Sequence, residues 1–233
     1  RSFIAATAGA ALLPSFSARA QANTLRWVVP YPPGGGTDVL GRTLAETMRG
    51  PLGMTIIIEN KPGASTNIAA QDVARAAPDG RTVLQADNAL MAFNEHLFKK
   101  LPVDPEKDFT YIGGIGKFPL ALVVHPDFPA KTFKEFMAYV RAHPGQVNYA
   151  SPGNGSPHHL AMEMFKNRTK TFLVHIPYRG AAPAMQDVMA GQVPVMFLDL
   201  ASGLPIMQSG KVRVLAYGGK ARTPLLPGVP TLI

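Results

Sequence analysis

The sequence of 233 residues contains no cysteine. This absence excludes disulfide scaffolds, thiolate metal sites and cysteine nucleophiles. Charged residues make up only 16% of the chain, and no apolar run approaches the ~18 to 20 residues that a membrane span requires. The apolar fraction of 46% is too high for a disordered chain, and the 22 glycines and 22 prolines indicate a globular protein with many turns.

The N-terminus has the pattern of a secretory signal peptide. Arg1 precedes an apolar run over residues 3–16, and small residues spaced A-x-A follow at Ala20 and Ala22. We therefore predict a signal peptide over residues 1–22, with its basic region truncated at the front. The alternative is an N-terminal helix of the fold, which Pro14 would interrupt.

The remaining chain is moderately basic. Loss of Arg1 and Arg19 with the signal peptide lowers the formal net charge from +8 to +6. Lysines and arginines are scattered singly, apart from Lys99-Lys100, with no basic run and little aromatic interleaving. This pattern argues against nucleic acid as a partner.

Strand and helix patterns alternate along the chain. Short apolar runs such as 25–29, 82–86 and 193–198 predict buried strands, and most strands are followed by a loop and a helical pattern. The alternation predicts an α/β protein with mixed, mainly parallel sheets flanked by helices. Ligands of such folds bind near the carboxyl ends of the strands.

One Gly-rich joint suggests two lobes. The stretch 111–117 predicts a boundary, so that residues 23–117 form the first lobe and residues 118–217 the second. Residues 218–233 are expected to return to the first lobe, whose remainder we expect to lie beyond Ile233.

Two Gly-rich loops precede helices and could bind an anion. The loop Gly34 to Asp38, which includes Gly35, Gly36 and Thr37, offers main-chain N–H groups at a helix start, with Thr37 or Asp38 as the expected N-cap. The loop Ser151 to Ser156 repeats this arrangement. The alternative for the first loop is a plain strand-to-helix turn that needs glycine. Neither nucleotide-binding glycine motif is present.

Other polar residues occupy positions where a cleft is expected. Asp87, Asn88 and Asp199 each follow a predicted strand, where they either line a cleft or cap a helix. Tyr31 and Tyr178 either flank a ligand or pack in the core.

Catalytic and metal motifs are incomplete. Ser156 lacks the G-x-S-x-G pattern of a nucleophile elbow, and His159 and Glu163, four residues apart, have no evident third metal ligand. We therefore predict no catalytic residue, no metal and no cofactor. A secreted hydrolase using Ser151 or Ser156 is the alternative from a different class.

Spaced motifs across nearly the whole chain after residue 22 resemble the Bug receptors, the extracytoplasmic solute-binding proteins of tripartite tricarboxylate transporters. The matching segments are Pro30-Tyr31-Pro32-Pro33-Gly34-Gly35, Glu59-Asn60-Lys61-Pro62-Gly63-Ala64, Pro78-Asp79-Gly80, Tyr149-Ala150-Ser151, Gly153 and Gly155-Ser156, His175 with Pro177-Tyr178, Gly191-Gln192-Val193 and Leu226-Pro227 with Val229-Pro230-Thr231.

This resemblance implies a two-lobed periplasmic binding protein of the type II class. Such a protein closes on a small carboxylate, namely a di- or tricarboxylate, an amino acid or an aromatic acid, and delivers it to the permease subunits in the membrane. It implies a periplasmic location, and we expect a monomer. A sensory binding protein without a permease is a further alternative. The expected ligand-binding residues are Tyr31, Gly34, Gly35, Gly36, Thr37, Asp38, Ser65, Thr66, Asn67, Asp87, Asn88, Ser151, Gly153, Asn154, Gly155, Ser156, Tyr178 and Asp199.

Two departures from the family pattern bear on the solute. Ser65-Thr66-Asn67 stands where a glycine pair often follows Pro-Gly-Ala, and Asp87 stands where small neutral residues are common. An acidic side chain beside an anion site disfavours simple dicarboxylates. It would suit a solute with an amino group.

Overall fold

The computed structural model describes residues 23–232, and the predicted signal peptide lies outside the described residues. Two separate sheets organise this part of the chain. One has three strands and the other has five. Within residues 23–232, no helix is both long and apolar enough to cross a membrane.

Eight strands alternate with helices. The strands are β1 Thr24–Val29, β2 Thr55–Asn60, β3 Thr82–Leu84, β4 Leu120–Val124, β5 Asn148–Ser151, β6 Val174–Pro177, β7 Val195–Asp199 and β8 Arg213–Tyr217. The helices are α1 Gly36–Leu52, α2 Asn67–Ala74, α3 Asn94–Leu97, α4 Phe133–Ala142, α5 Pro157–Thr169, α6 Ala181–Met189 and α7 Leu200–Gln208. A 3₁₀ turn, Ala64–Thr66, precedes α2, and a π-helical turn, Ala89–Phe93, precedes α3.

The first sheet is entirely parallel, in the order β2-β1-β3. Its central strand β1 is apolar apart from Thr24 and Arg26, and helices α1 and α2 both pack against it. Leu25, Trp27 and Val29 of β1 pack with Ile56 of β2 and Ala45 of α1. This sheet is the centre of the first lobe.

The second sheet has the order β6-β5-β7-β4-β8, and β4 runs antiparallel to its neighbours β7 and β8. Alternate residues of β4 enter two different cores. Leu122 and Val124 pack on one face, and Ala121 and Val123 on the other. Since both faces are buried, the strand is apolar throughout, as the sequence indicates. This sheet is the centre of the second lobe.

The change of sheet falls between β3 and β4, a range that contains the predicted boundary at residue 117. The segment after β8 folds back on the second lobe, where Thr231 bridges to Tyr217 and the Leu232 N–H donates to the Tyr217 carbonyl at 2.8 Å. The lobe limits and the expected return to the first lobe stay predictions.

Two helical glycines allow a test of how tightly the second lobe is packed. A Cβ on Gly203 of α7 would lie 2.4 Å from Cγ of buried Leu198, whereas a Cβ on Gly50 of α1 would meet no heavy atom within 4 Å. We expect Gly203→Ala to lower the free energy of unfolding by about 1–3 kcal/mol because the core is overpacked. Gly50→Ala should leave it unchanged or raise it by up to about 1 kcal/mol, since alanine favours the helix.

Urea unfolding of both variants measures the difference. Equal stabilities for the two variants would contradict close packing of α7 on β7.

Candidate functional site

A cleft of about 1210 Å³ lies between the two lobes. The carboxyl ends of strands from both sheets face it, because the residues that follow β1 and β3 of the first lobe and end β7 of the second lobe contribute to its walls. This is the position at which open α/β sheets bind ligands.

Helix α1 begins at this cleft without a side-chain cap. Its N-cap is Gly35, and neither Thr37 nor Asp38, the expected N-caps, takes that position. Gly35, Gly36 and Thr37 line the cleft. First-turn N–H groups have no partner within the helix, and the helix end carries a partial positive charge. The wall of the cleft is therefore suited to an anion.

Asp38 holds the α1 loop in shape and does not face the cleft. Its buried carboxylate accepts hydrogen bonds from the Gly34 N–H at 3.0 Å, from Arg42 Nε and from Asn60 Nδ2 at 2.8 Å. Burial alone would raise the pKa of Asp38, but the hydrogen bond from Arg42 and those from Gly34 and Asn60 outweigh it and lower the pKa. Asp38 therefore stays ionised as a structural anchor.

The loop Ser151 to Ser156 is largely bonded within itself. The Gly153 N–H donates to Ser151 Oγ, the Ser156 N–H to the Gly153 carbonyl and the Gly155 N–H to His159 Nδ1. Ser156 caps α5 by accepting from the His159 N–H at 3.3 Å. From the loop itself only Pro152 lines the cleft, followed by Pro157 and His158 at the start of α5.

His159 and His175, whose rings stack on each other, both contact the loop Ser151 to Ser156. His175 Nε2 lies 2.6 Å from Ser151 Oγ, and its ring stacks on His159 at 4.1 Å between centroids and on Tyr149 at 4.8 Å. Burial and the neighbouring His159 lower the pKa of His175 to about 4. The ring is therefore neutral at pH 7.

Asp87 lines the cleft from the first lobe. Its Oδ2 accepts a hydrogen bond from the Tyr31 hydroxyl at 2.7 Å, and its Oδ1 accepts from the Ala89 N–H at 3.0 Å. Burial raises the pKa of Asp87, although these bonds and nearby His158 oppose the shift. Asp87 thus lines the cleft and also accepts from the first N–H of the π-helical turn, although the N-cap of that turn is Asn88.

Asp199 lines the cleft from the second lobe. Its Oδ1 accepts from the Ser202 N–H at 2.8 Å, which makes it the N-cap of α7, and its Oδ2 lies 3.3 Å from His158 Nε2. Burial would raise the pKa of Asp199, but the bonds from His158 and Ser202 lower it. A Cβ on Gly36 would lie 2.2 Å from Asp199 Oδ1, so this carboxylate touches the start of α1 across the lobes.

Three further cations line the same cleft: Lys117, Arg141 and Arg168. Their charges attract anions toward the space between the lobes. None of the three was among the sequence candidates. Each lies outside the two Gly-rich loops, on helix α4, on helix α5 or in the joint 111–117, and the tertiary structure brings it to the cleft.

The structure brings together some of the predicted site residues and not others. Those that line the cleft are Tyr31, Gly35, Gly36, Thr37, Asp87, Asn88 and Asp199. Those outside its lining are Gly34, Asp38, Ser65, Thr66, Asn67, Ser151, Gly153, Asn154, Gly155, Ser156 and Tyr178. Tyr178 donates its hydroxyl proton to Asp187 Oδ2 at 2.6 Å and packs against the core of the second lobe.

Ser65 lies where the two lobes touch. Its hydroxyl donates to the Asn154 carbonyl at 2.9 Å, which joins the two loops directly. Ala64, Ser65 and Thr66 all have positive φ, at 46°, 49° and 76°, a conformation that is costly for residues other than glycine. The departure from the glycine pair therefore places a strained turn at the contact between the lobes.

The His159–Glu163 pair has partners other than a metal. Glu163 Oε1 accepts from the Tyr149 hydroxyl and from Lys166 Nζ, both at 2.6 Å. Within residues 23–232, no group of three or more acidic or histidine side chains is arranged to hold a metal ion.

The overall arrangement is that of a periplasmic binding protein, with two α/β lobes around one cleft. Solved structures share it. MatC from Rhodopseudomonas palustris, solved with bound malate, is 35% identical, with a TM-score of 0.83 over 89% of this chain and 71% of that one. An R. palustris protein solved with adipate is 32% identical, with a TM-score of 0.86 over 90% of this chain and 70% of that one.

The sequence comparisons give the family. Residues 40–233 match the model of the tripartite tricarboxylate transporter family receptor, so the chain belongs to that family. BugT of Bordetella pertussis is 34% identical over 91% of this chain, and the chain spans 65% of the length of BugT. The resemblance to the Bug receptors is thereby confirmed.

The low pKa of His175 predicts how stability depends on pH. Its folded pKa of about 4 lies below the ordinary value of 6.5, so the unfolded state takes up a proton first as the pH falls. This contribution to stability is complete above pH 6.5 and is lost between pH 6.5 and 4. We expect His175→Gln to flatten the dependence in that window, as measured by urea unfolding at several pH values.

The control is His96→Gln, because His96 is exposed on the surface, where it pairs with Glu95. It should leave the slope unchanged. A His175→Gln slope as steep as that of the unsubstituted protein would contradict the assignment.

Proposed function

We propose that this protein is an extracytoplasmic receptor that captures a small carboxylate in the cleft and delivers it to the permease of a tripartite tricarboxylate transporter. The observation that carries the proposal is the uncapped start of α1 at a cleft lined by three cations. The malate- and adipate-bound relatives support a carboxylate ligand. Residues 1–22 are proposed to direct export to the periplasm.

The proposed binding step is a closure of the lobes. Residues 113–117 and 218–220 act as the hinge. Both segments contribute to the cleft lining, the first through Gly116 and the second through Gly218. A solute that contacts both lobes stabilises the closed form by its differential affinity for it. The Ser65–Asn154 bond and the contact of Gly36 with Asp199 are made only when the lobes meet.

The hydrolase alternative is poorly supported by the positions of the serines. Ser151 lies next to His175, but its side chain is fully buried and does not line the cleft. Ser156 donates its hydroxyl proton to the Gly153 carbonyl at 2.8 Å and caps α5. Nucleophilic attack needs an exposed hydroxyl beside its base. We therefore propose binding without chemistry.

Ligand-induced stabilisation tests the proposed function. A carboxylate at 100 times its dissociation constant should raise the free energy of unfolding by ~2.7 kcal/mol. Thermal shifts and titration calorimetry with mono-, di- and aromatic carboxylates measure this. No stabilisation by any carboxylate would contradict the proposal.

Gly35→Val tests whether the main-chain N–H groups at the start of α1 bind the carboxylate. A Cβ at Gly35 would lie 3.3 Å from Ala181 Cβ of the second lobe, so the larger side chain should hold the lobes apart at the start of α1. We expect carboxylate affinity to fall by about tenfold or more, with little change in unfolding. Gly50→Val, at a site with open space, is the matched control. Equal carboxylate affinities for the two variants would contradict binding at the start of α1.

A further inference from the structure

His158 lines the cleft and is another residue that the sequence candidates omitted. It stands on the first turn of α5, directly after the N1 residue Pro157. Asp199 of its own lobe lies 3.3 Å from its Nε2, and Asp87 of the first lobe lines the same cleft and interacts with it electrostatically. The imidazole thus shares the cleft with two carboxylates, one from each lobe.

Asp199 determines which ring nitrogen carries the proton. A carboxylate can only accept, so the contact with Asp199 places a proton on Nε2. A neutral imidazole carries one proton, and in that tautomer Nδ1 is a hydrogen-bond acceptor. It is enclosed and has no hydrogen-bond partner within residues 23–232.

The lining of the cleft thus combines hydrogen-bond acceptors and donors. Nδ1 of His158 and the carboxylates of Asp87 and Asp199 accept, while the α1 N–H groups and the three cations donate. A plain carboxylate would satisfy only the donors. A solute that also carries a donor next to its carboxylate would satisfy both, and an enclosed acceptor left unpaired is costly.

We propose that His158 is a specificity-determining residue that selects carboxylates bearing a hydroxyl or an ammonium group on the adjacent carbon, which donates to Nδ1. This inference rests on the proposed function and narrows its substrate class. Asp199 acts as the positioning residue, because it fixes the tautomer without needing to touch the solute.

Matched acids that differ in one substituent test the proposal. Four triads supply a hydrogen, a hydroxyl or an ammonium group at the carbon beside the carboxylate: propionate, lactate and alanine; succinate, malate and aspartate; adipate, 2-hydroxyadipate and 2-aminoadipate; phenylacetate, mandelate and phenylglycine. In at least one triad, calorimetry should show a substituted acid binding about tenfold or more tighter than the unsubstituted one.

Variants of His158 assign that preference to the ring. His158→Leu should reduce the preference to below about threefold, because it removes the Nδ1 acceptor. It also removes the Nε2 bond to Asp199, but that loss is common to all three acids of a triad and cancels from the preference. His158→Asn, whose amide oxygen can accept, should restore part of it. His96→Leu, at an exposed histidine outside the cleft lining, should retain the full preference.

Asp87→Asn distinguishes a hydroxyl donor on the solute from an ammonium donor. An ammonium group pairs with the Asp87 charge, so this variant should weaken binding of the amino acid more than that of the hydroxy acid. Equal binding within every triad, or an equal loss for all three members in His158→Leu, would overturn the inference and leave the proposed function standing. No binding by any of the twelve acids would overturn both.

Discussion

One electrostatic constraint governs the site: a cleft that attracts an anion also contains two carboxylates. The uncapped start of α1 and the lining cations favour negative charge, whereas Asp87 and Asp199 oppose it. Such a site can hold a carboxylate only where the solute's oxygens meet the donors and avoid these two side chains. This requirement makes the solute's orientation, and not only its charge, a condition of binding.

Hydrogen bonds within each lobe hold the loops and side chains around the cleft in place. Asp38 fixes the loop before α1, Asp199 is tied to α7, and the loop Ser151 to Ser156 is bonded within itself above His175. Each of these polar groups has partners supplied by its own lobe. Closure therefore brings together two preformed walls, which lowers the ordering cost of binding.

Local sequence patterns predicted the fold well because the apolar runs and Gly-rich loops act locally. They located β1 and β7 to within about two residues. They extended β3 to residue 86, whereas the strand ends at Leu84, because the Gln85 side chain is buried and bonds to Trp27 and to the Thr37 carbonyl. Asp38 matched the N-cap pattern, yet its carboxylate turns to Arg42 and Asn60. The role of His158 depends on Asp199, 41 residues away, and no local spacing encodes that contact.

A crystal structure of the protein with its solute would show directly where the carboxylate binds. We expect a carboxylate oxygen within about 3.2 Å of the main-chain N–H groups of Gly36 and Thr37, with the lobes closed around it. A solute bound elsewhere, or those N–H groups taken up by the Asp199 carboxylate while solute is present, would contradict it.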